Sequence, residues 1–271
     1  MKPLHFAAPL ALLLAAGCAS LDPDGGFSGV GEAGSAHERV KGLLAKPLGP
    51  QEAVRAALLN NPAGQAEAKL LALETRKAWF AAVAARETAN YMDQAKEAAE
   101  AGAELARRLG AAGNWSKLDQ ARERLFLAEA TAQRARARQA ALVSRERLAR
   151  LMGLTGGKPA FELPERLPEL PQAPRAADGA EAQGRSDARQ AYDAYHAAFD
   201  LARRYRDEIV PLRKQISEEM LLRYNGMLAS AFELLADARE SIGAVNAYLE
   251  ALRDFWIAES EFQMTMTGGA K

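Results

Sequence analysis

The side chains able to do chemistry are few: one thiol, at Cys18, and three imidazoles, at His5, His37 and His196, in a chain of 271 residues. A single cysteine excludes an intramolecular disulfide, and histidines scattered this widely offer no spacing that would gather a zinc ion. The acidic neighbours Glu218-Glu219 and Asp207-Glu208 lie among arginines at helical spacing. That pattern describes a solvated ion-pair surface rather than an acid and a base poised over a substrate. No nucleophile motif, phosphate loop or metal set is present, so the sequence points to no catalytic residue, no metal ligand, no cofactor and no enzyme activity. Cys18 has a distinctive setting. Lys2 precedes the apolar stretch from Phe6 to Ala16, and Ala15-Ala16-Gly17 leads directly into the cysteine. This is the order of a secretory signal peptide over residues 1–17, with an apolar segment shorter than the ~20 residues a membrane-spanning helix needs.

The segment resembles the lipobox of bacterial lipoproteins, in which the cysteine sulfur is acylated, the preceding peptide is removed and the new amine is acylated as well. The usual lipobox favours leucine three residues before the cysteine; here Ala15 holds that place and Leu14 comes one earlier. The resemblance implies that Cys18 is the lipidation site and the first residue of the mature chain. Ala19, where an aspartate would retain such a protein in the inner membrane, implies sorting to the outer membrane, with the chain on its periplasmic face. Several acyl chains together give a stable anchor, since each buried methylene contributes about 0.8 kcal/mol. Residues 18–47, rich in Gly, Ser and Asp at their start, are expected to form a flexible tether.

Lys and Arg number 35, as do Asp and Glu, so the formal charge is zero. A nucleic-acid partner is not expected without a basic excess to neutralise phosphates. Of the 49% hydrophobic residues, about 60 are alanine, and aromatics make up 7%. Side chains this small suit close helix packing better than a thick core. From Gln51 the spacing turns helical. A short helix over Gln51 to Leu59 is stopped by Asn60-Asn61-Pro62, because proline disfavours helix in the residue before it. Then Ala78, Ala82, Ala85, Ala89, Met92, Lys96, Ala99, Ala103 and Ala106 step by four and three, which is a heptad seam. After a break at Gly110, Gly113 and Asn114, a second seam runs through Leu118, Ala121, Leu125, Ala128, Ala132, Ala135, Gln139 and Leu142.

Residues 158–184 hold five prolines, at Pro159, Pro164, Pro168, Pro171 and Pro174, and are expected to be a linker. The design then restarts. Ala191, Tyr195, Ala198, Ala202, Tyr205, Ile209, Leu212 and Ile216 form one seam, and Asn225-Gly226 breaks it. Leu228, Ala231, Leu235, Ala238, Ile242, Val245, Leu249, Leu252 and Trp256 form the next. Both halves close on Thr-Gly-Gly, at Thr155-Gly156-Gly157 and Thr267-Gly268-Gly269, as an internal duplication would. The expected fold is all-α: two tandem antiparallel coiled-coil hairpins, over 48–157 (with the short leading helix) and 185–268. Pro211 is expected to kink its helix. Tyr192, Tyr195, Phe199 and Tyr205, at helical spacing, are expected to pack in the core.

These residues together resemble the TolC-like outer membrane efflux protein family. Its repeats begin with a short helix ending in Asn-Asn-Pro, as at Glu52 to Pro62, and continue through a coiled-coil hairpin with a glycine at its tip. Gly113-Asn114-Trp115-Ser116-Lys117-Leu118-Asp119-Gln120-Ala121-Arg122 is similar to the first tip. Arg223-Tyr224-Asn225-Gly226-Met227-Leu228 is similar to the second. The resemblance covers about residues 47 to 268 and implies a trimeric conduit. In such a conduit the tips, here Gly113, Asn114, Trp115 and Ser116 with Asn225, Gly226, Met227 and Leu228, dock onto a periplasmic adaptor of a tripartite efflux system. Glycine at the tips is expected to permit the tight reversal. The family's membrane strands, each needing ~9–11 alternating residues, have no counterpart between Pro62 and Arg76 or between Pro174 and Ala191. The sequence therefore leaves two roles open: an outer-membrane-anchored efflux component, or a structural coiled-coil lipoprotein that conducts nothing.

Overall fold

A computed structural model describes residues 35–62, 64–154, 161–175 and 186–268, and among them there are helices and no strands. Two short helices, α1 (Ala36–Leu44) and α2 (Pro50–Asn60), lead into the first hairpin, formed by α3 (Gln65–Ala111) and α4 (Lys117–Leu151). The second hairpin ascends through α5 (Ser186–Arg204), a π-turn (Tyr205–Ile209) and α6 (Val210–Asn225), and returns as α7 (Ala231–Gly268). The fold is all-α, with two antiparallel hairpins side by side. α3 lies between α4 and α7, and α7 between α3 and the α5–α6 rod. At 1.5 Å per residue, the 47 residues of α3 span about 70 Å.

The α3 seam is inward as expected. Ala78, Ala82, Ala89, Met92, Ala99 and Ala106 are buried, and Lys96 lies half-buried with its ammonium on Glu100 one turn on. The α4 seam is not inward. Leu118, Leu125 and Leu142 are all about 60% exposed. The side facing α3 carries Glu123, Ala130 and Leu148, two positions out of phase, so α4 is turned by roughly half a revolution. Ion pairs to α3 accompany this orientation. α3 presents Asp93 to Arg134 (2.5 Å) and Arg138 (2.8 Å), and Glu74 to Arg147 (3.0 Å), and those arginines lie on the alanine face of α4.

The seam of the second rod is correct as far as Ile209 and then slips. The Val210 amide donates to the Tyr205 carbonyl, five residues back, just ahead of Pro211, which has no amide to continue the ladder. One residue is thereby added to the register. Arg213, Ser217, Met220 and Tyr224 then turn inward, while Leu212 and Ile216 are exposed. A π-turn, more than a simple kink, is how the helix accommodates Pro211.

The base of the hairpins holds the thick core. Phe80 stacks on Trp256 at 5.2 Å and Tyr195 on Phe262 at 5.3 Å, with Trp79, Phe199 and Phe255 buried among them. Tyr195 and Phe199 are buried and Tyr192 and Tyr205 half-buried, so these aromatics pack the core. Part of the segment expected to be tether is helix: Ser35 caps α1 by accepting from the Glu38 amide (3.2 Å), and Val40 is buried in the same core.

The proline-rich segment is more than a linker. Over 161–175 it forms a strap across the helices, burying Phe161, Leu163, Leu167 and Leu170. Outside any helix, its backbone is satisfied by the Leu48 amide, which donates to the Glu162 carbonyl (2.7 Å), and by side chains. Arg145 donates to the Phe161 carbonyl and Arg86 to that of Leu163. Trp256 Nε1 donates to Pro168 (3.0 Å), and Arg206 donates to Leu170 (2.9 Å). The Leu167 amide donates to Glu87 (2.9 Å), whose carboxyl burial pushes up and this hydrogen bond pulls back.

The Asn-Asn-Pro motif closes the base. Asn60 Nδ2 donates to the Met152 carbonyl (2.8 Å) and Asn61 Nδ2 to that of Leu151 (3.3 Å), capping the end of α4. Gly153 follows at φ 70°, where a Cβ would stand 2.8 Å from Asn60 Cβ. Gly113 also has positive φ, 78°, but open space around it. Gly113→Ala is therefore expected to cost about 1 kcal/mol from backbone strain alone, and Gly153→Ala about 2–4 kcal/mol because the clash adds to the strain. Urea unfolding of the two variants checks the ranking, which equal losses would contradict.

Candidate functional site

α3 and α7 run antiparallel in a fixed register. Near the base, Arg76 donates to Gln263 (3.2 Å); farther along, Leu235 lies against Gly102. α3 continues from Gly102 to its end at Ala111, and α7 begins just before Leu235, at Ala231. Both turns therefore project from the same end of the molecule. The tip-ward half is held by polar pairs between helices. Arg239 of α7 reaches Glu123 of α4, which is buried and whose carboxyl that burial pushes up against the pull of Arg239. Ser217 of α6 donates to Asp237 of α7 (2.6 Å).

In the first turn, the Asn114 amide donates to the Leu109 carbonyl (2.9 Å) and the Gly113 amide to that of Gly110 (3.1 Å). This is a Schellman close with Gly113 in the left-handed position. Trp115 is half-buried. Ser116 starts α4, accepting from the Asp119 amide at 3.1 Å. Below this turn Arg107 and then Arg108 hold the exposed Glu104 carboxyl down to about 2.

The second turn has the same hydrogen bonds but a different residue at its crux. The Leu228 amide donates to the Arg223 carbonyl (2.7 Å) and the Met227 amide to that of Tyr224 (3.0 Å). The left-handed residue is Met227, at φ 57°, whereas Gly226 has φ −80° and needs no glycine. The expectation that Gly226 supplies the conformational freedom here is corrected: the motif is shifted by one, and a bulky side chain bears the strain. Met227 is 94% and Leu228 74% exposed, with Leu222 at 64% beside them. Ser230 and Glu233 then form a capping box, the Ser230 amide donating to Glu233 (2.8 Å) and the Glu233 amide to Ser230 Oγ (3.2 Å). The Ser230 amide and hydroxyl hold the Glu233 carboxyl below its ordinary range. The Ser-x-x-Glu spacing was available in the sequence as the signal for this start.

Of the expected site residues, the structure brings Gly113, Asn114, Trp115 and Ser116 to the same end as Asn225, Gly226, Met227 and Leu228; Cys18 lies outside the described residues. Running back from the tips, Leu118, Leu125 and Leu142 on α4 and Leu212 and Ile216 on α6, expected in inward seams, form exposed apolar stripes. The acidic pairs are surface ion pairs: Asp207 meets Arg206 at 2.6 Å, and Glu218 lies 3.9 Å from Lys214. Among the described residues no cluster of His, Cys, Asp and Glu could hold a metal ion, and no helix is long and apolar enough to cross a membrane.

No protein-family profile and no curated protein matches the chain. Among solved structures it is similar to a protein described as a membrane protein from Pseudomonas aeruginosa, at 15% sequence identity and a TM-score of 0.52, over 80% of this chain and 74% of that one. At that identity the likeness is one of fold.

An exposed methionine in a left-handed conformation costs about 1–2 kcal/mol relative to glycine. Met227→Gly is expected to stabilise the chain by about 1 kcal/mol and Gly226→Ala to change it by less than about 0.5 kcal/mol. Thermal unfolding of both variants checks this; a Gly226→Ala loss larger than the Met227→Gly gain would contradict the assignment.

Proposed function

We propose that the chain is an outer-membrane-anchored periplasmic component of an efflux system, acylated at Cys18, whose paired tips dock onto a periplasmic adaptor. The observation that carries this reading is Met227, a large apolar side chain fully presented at the apex by a strained backbone, beside exposed Leu228. Strain of this kind persists where a side chain is needed in one place, and an apolar knob in water is of use when a partner covers it. The order of motifs resembling the TolC-like family supports the same role. The all-α fold, shared with a membrane protein of Pseudomonas aeruginosa, agrees with it.

Self-association accompanies docking. The α4 stripe from Leu118 to Leu142 is about 36 Å long, and its heptad spacing suits a helix of another copy. By family resemblance the assembly is a trimer. A second reading, a coiled-coil lipoprotein that spans distance without conducting, is favoured by one observation. α2 ends at Asn60 and α3 begins at Gln65, leaving no room between them for a pair of membrane strands.

The test pairs a purified periplasmic adaptor with the acylated protein. Replacing Met227 and Leu228 by Asp is expected to weaken adaptor binding by about thirtyfold or more, the loss typical of a hot spot worth about 2 kcal/mol. Unchanged binding, or none by the unmodified protein, would favour the spacer. In light scattering, Leu125→Glu together with Leu142→Glu is expected to shift an oligomer to monomer, and a wild-type monomer would remove the conduit.

A further inference from the structure

At its last described residues the strap meets a buried polar cluster that neither docking nor anchoring uses. Glu259 of α7 is 4% exposed, and its Oε1 lies 3.2 Å from Arg175 Nε, at the strap's last described residue. The other oxygen, Oε2, has no hydrogen-bond partner. The Arg175 amide donates to the Tyr195 hydroxyl (2.8 Å), and Tyr195 is itself buried. From α3, buried Arg76 contributes a second positive charge, and α5 contributes Tyr195. His196 is one ring farther out, 5.5 Å from Tyr195 between centroids. The Arg175 side chain is 45% exposed, so water offers it an alternative to Glu259, whereas Glu259 has none.

We propose that Glu259 and Arg175 form a proton-controlled latch: the ionised carboxylate fastens the end of the strap to the helical core, and the protonated carboxyl releases it. The two halves of the strap differ in what holds them. Its first half is bonded by Arg86 and Arg145 and held by the buried Phe161 and Leu163. Its second half is held at Leu170 by Arg206 and by burial, and at Arg175 by the amide on Tyr195; the Arg175 side chain adds one ionic bond, to a carboxylate in a poorly solvated place. Burial pushes the Glu259 carboxyl up to about 7, against the pull of Arg175 and Arg76. The switch thus falls near neutrality.

Release differs from unfolding in its sign. A carboxyl whose folded-state value lies above its ordinary 4.5 stabilises the fold most below about 4.5, and that contribution is lost as pH rises through about 7. With the Arg175 side chain turned to water and Glu259 still buried in the helical core, the carboxyl loses the pull of Arg175 and holds its proton more tightly, so acidification favours release while this group makes the core more stable.

Hydrogen–deuterium exchange of the full chain, corrected for the intrinsic chemical rate, tests the latch. The peptide covering 169–175 is expected to exchange about tenfold faster at pH 5 than at pH 8, with a midpoint near 7, as the Arg175 amide on Tyr195 opens once the ion pair beside it is lost. The peptide covering 161–167 is expected to stay protected throughout. Glu259→Gln is expected to leave 169–175 fast at every pH; should that variant not fold, Arg175→Gln is expected to do the same. His196→Gln is expected to leave the midpoint in place. A flat wild-type profile, a midpoint that survives Glu259→Gln or Arg175→Gln, or one erased by His196→Gln would overturn the proposal.

Discussion

Alanine along α3 sets how near its neighbours can come, and the rest of the molecule answers to that spacing. With Ala78, Ala82, Ala89, Ala99 and Ala106 at the contact, helix axes approach closely and van der Waals contact is dense. Each residue nevertheless removes little apolar area from water, and at about 25 cal/mol per Å² an alanine seam is a weak adhesive. α3 compensates by being buried on two flanks, against α4 and against α7. The large side chains are concentrated at the base, where Trp79, Phe80, Phe255 and Trp256 meet under the strap. The base is therefore the anchor of the fold, and the tip-ward half is a lighter structure stiffened by side-chain pairs such as Glu123 with Arg239.

The strap illustrates how an irregular segment survives in a packed place. Its prolines remove amides that would otherwise need partners, and its remaining carbonyls draw donors from four different elements: Arg86 of α3, Arg145 of α4, Arg206 of the π-turn and Trp256 of α7. Binding to all of them, the strap ties the two hairpins into one body. A buried carboxylate at its end makes that tie responsive to protons, because a low-polarity setting raises both the strength of the ion pair and the cost of keeping the charge.

The outer helices carry the opposite imbalance. α4 spends its alanine face on α3 and leaves leucines in water; α6, one residue out of register after the π-turn, does likewise with Leu212 and Ile216. These stripes continue toward the apex, where Met227 and Leu228 project. Apolar surface is thus distributed along the rods and gathered at their common end.

The sequence by itself determined the all-α class, the two hairpins, the inward seam of α3, that of α7 from Ala231 on though not its expected first member Leu228, the places of both turns and the role of aromatics in the core, because each follows from spacing within one helix or from a local stop signal. It did not determine the face of α4. Two stripes of small and apolar residues compete there, and which one meets α3 depends on residues distant in the chain, such as Asp93 and Glu74, whose ion pairs fall on the side that is buried. The slip at Pro211 and the transfer of the left-handed position from Gly226 to Met227 were likewise settled by how the ends of each helix meet their neighbours. The strap was hidden for the same reason: prolines announce only that a segment is not helix, and its partners are brought to it by the packing of four elements that no local pattern connects.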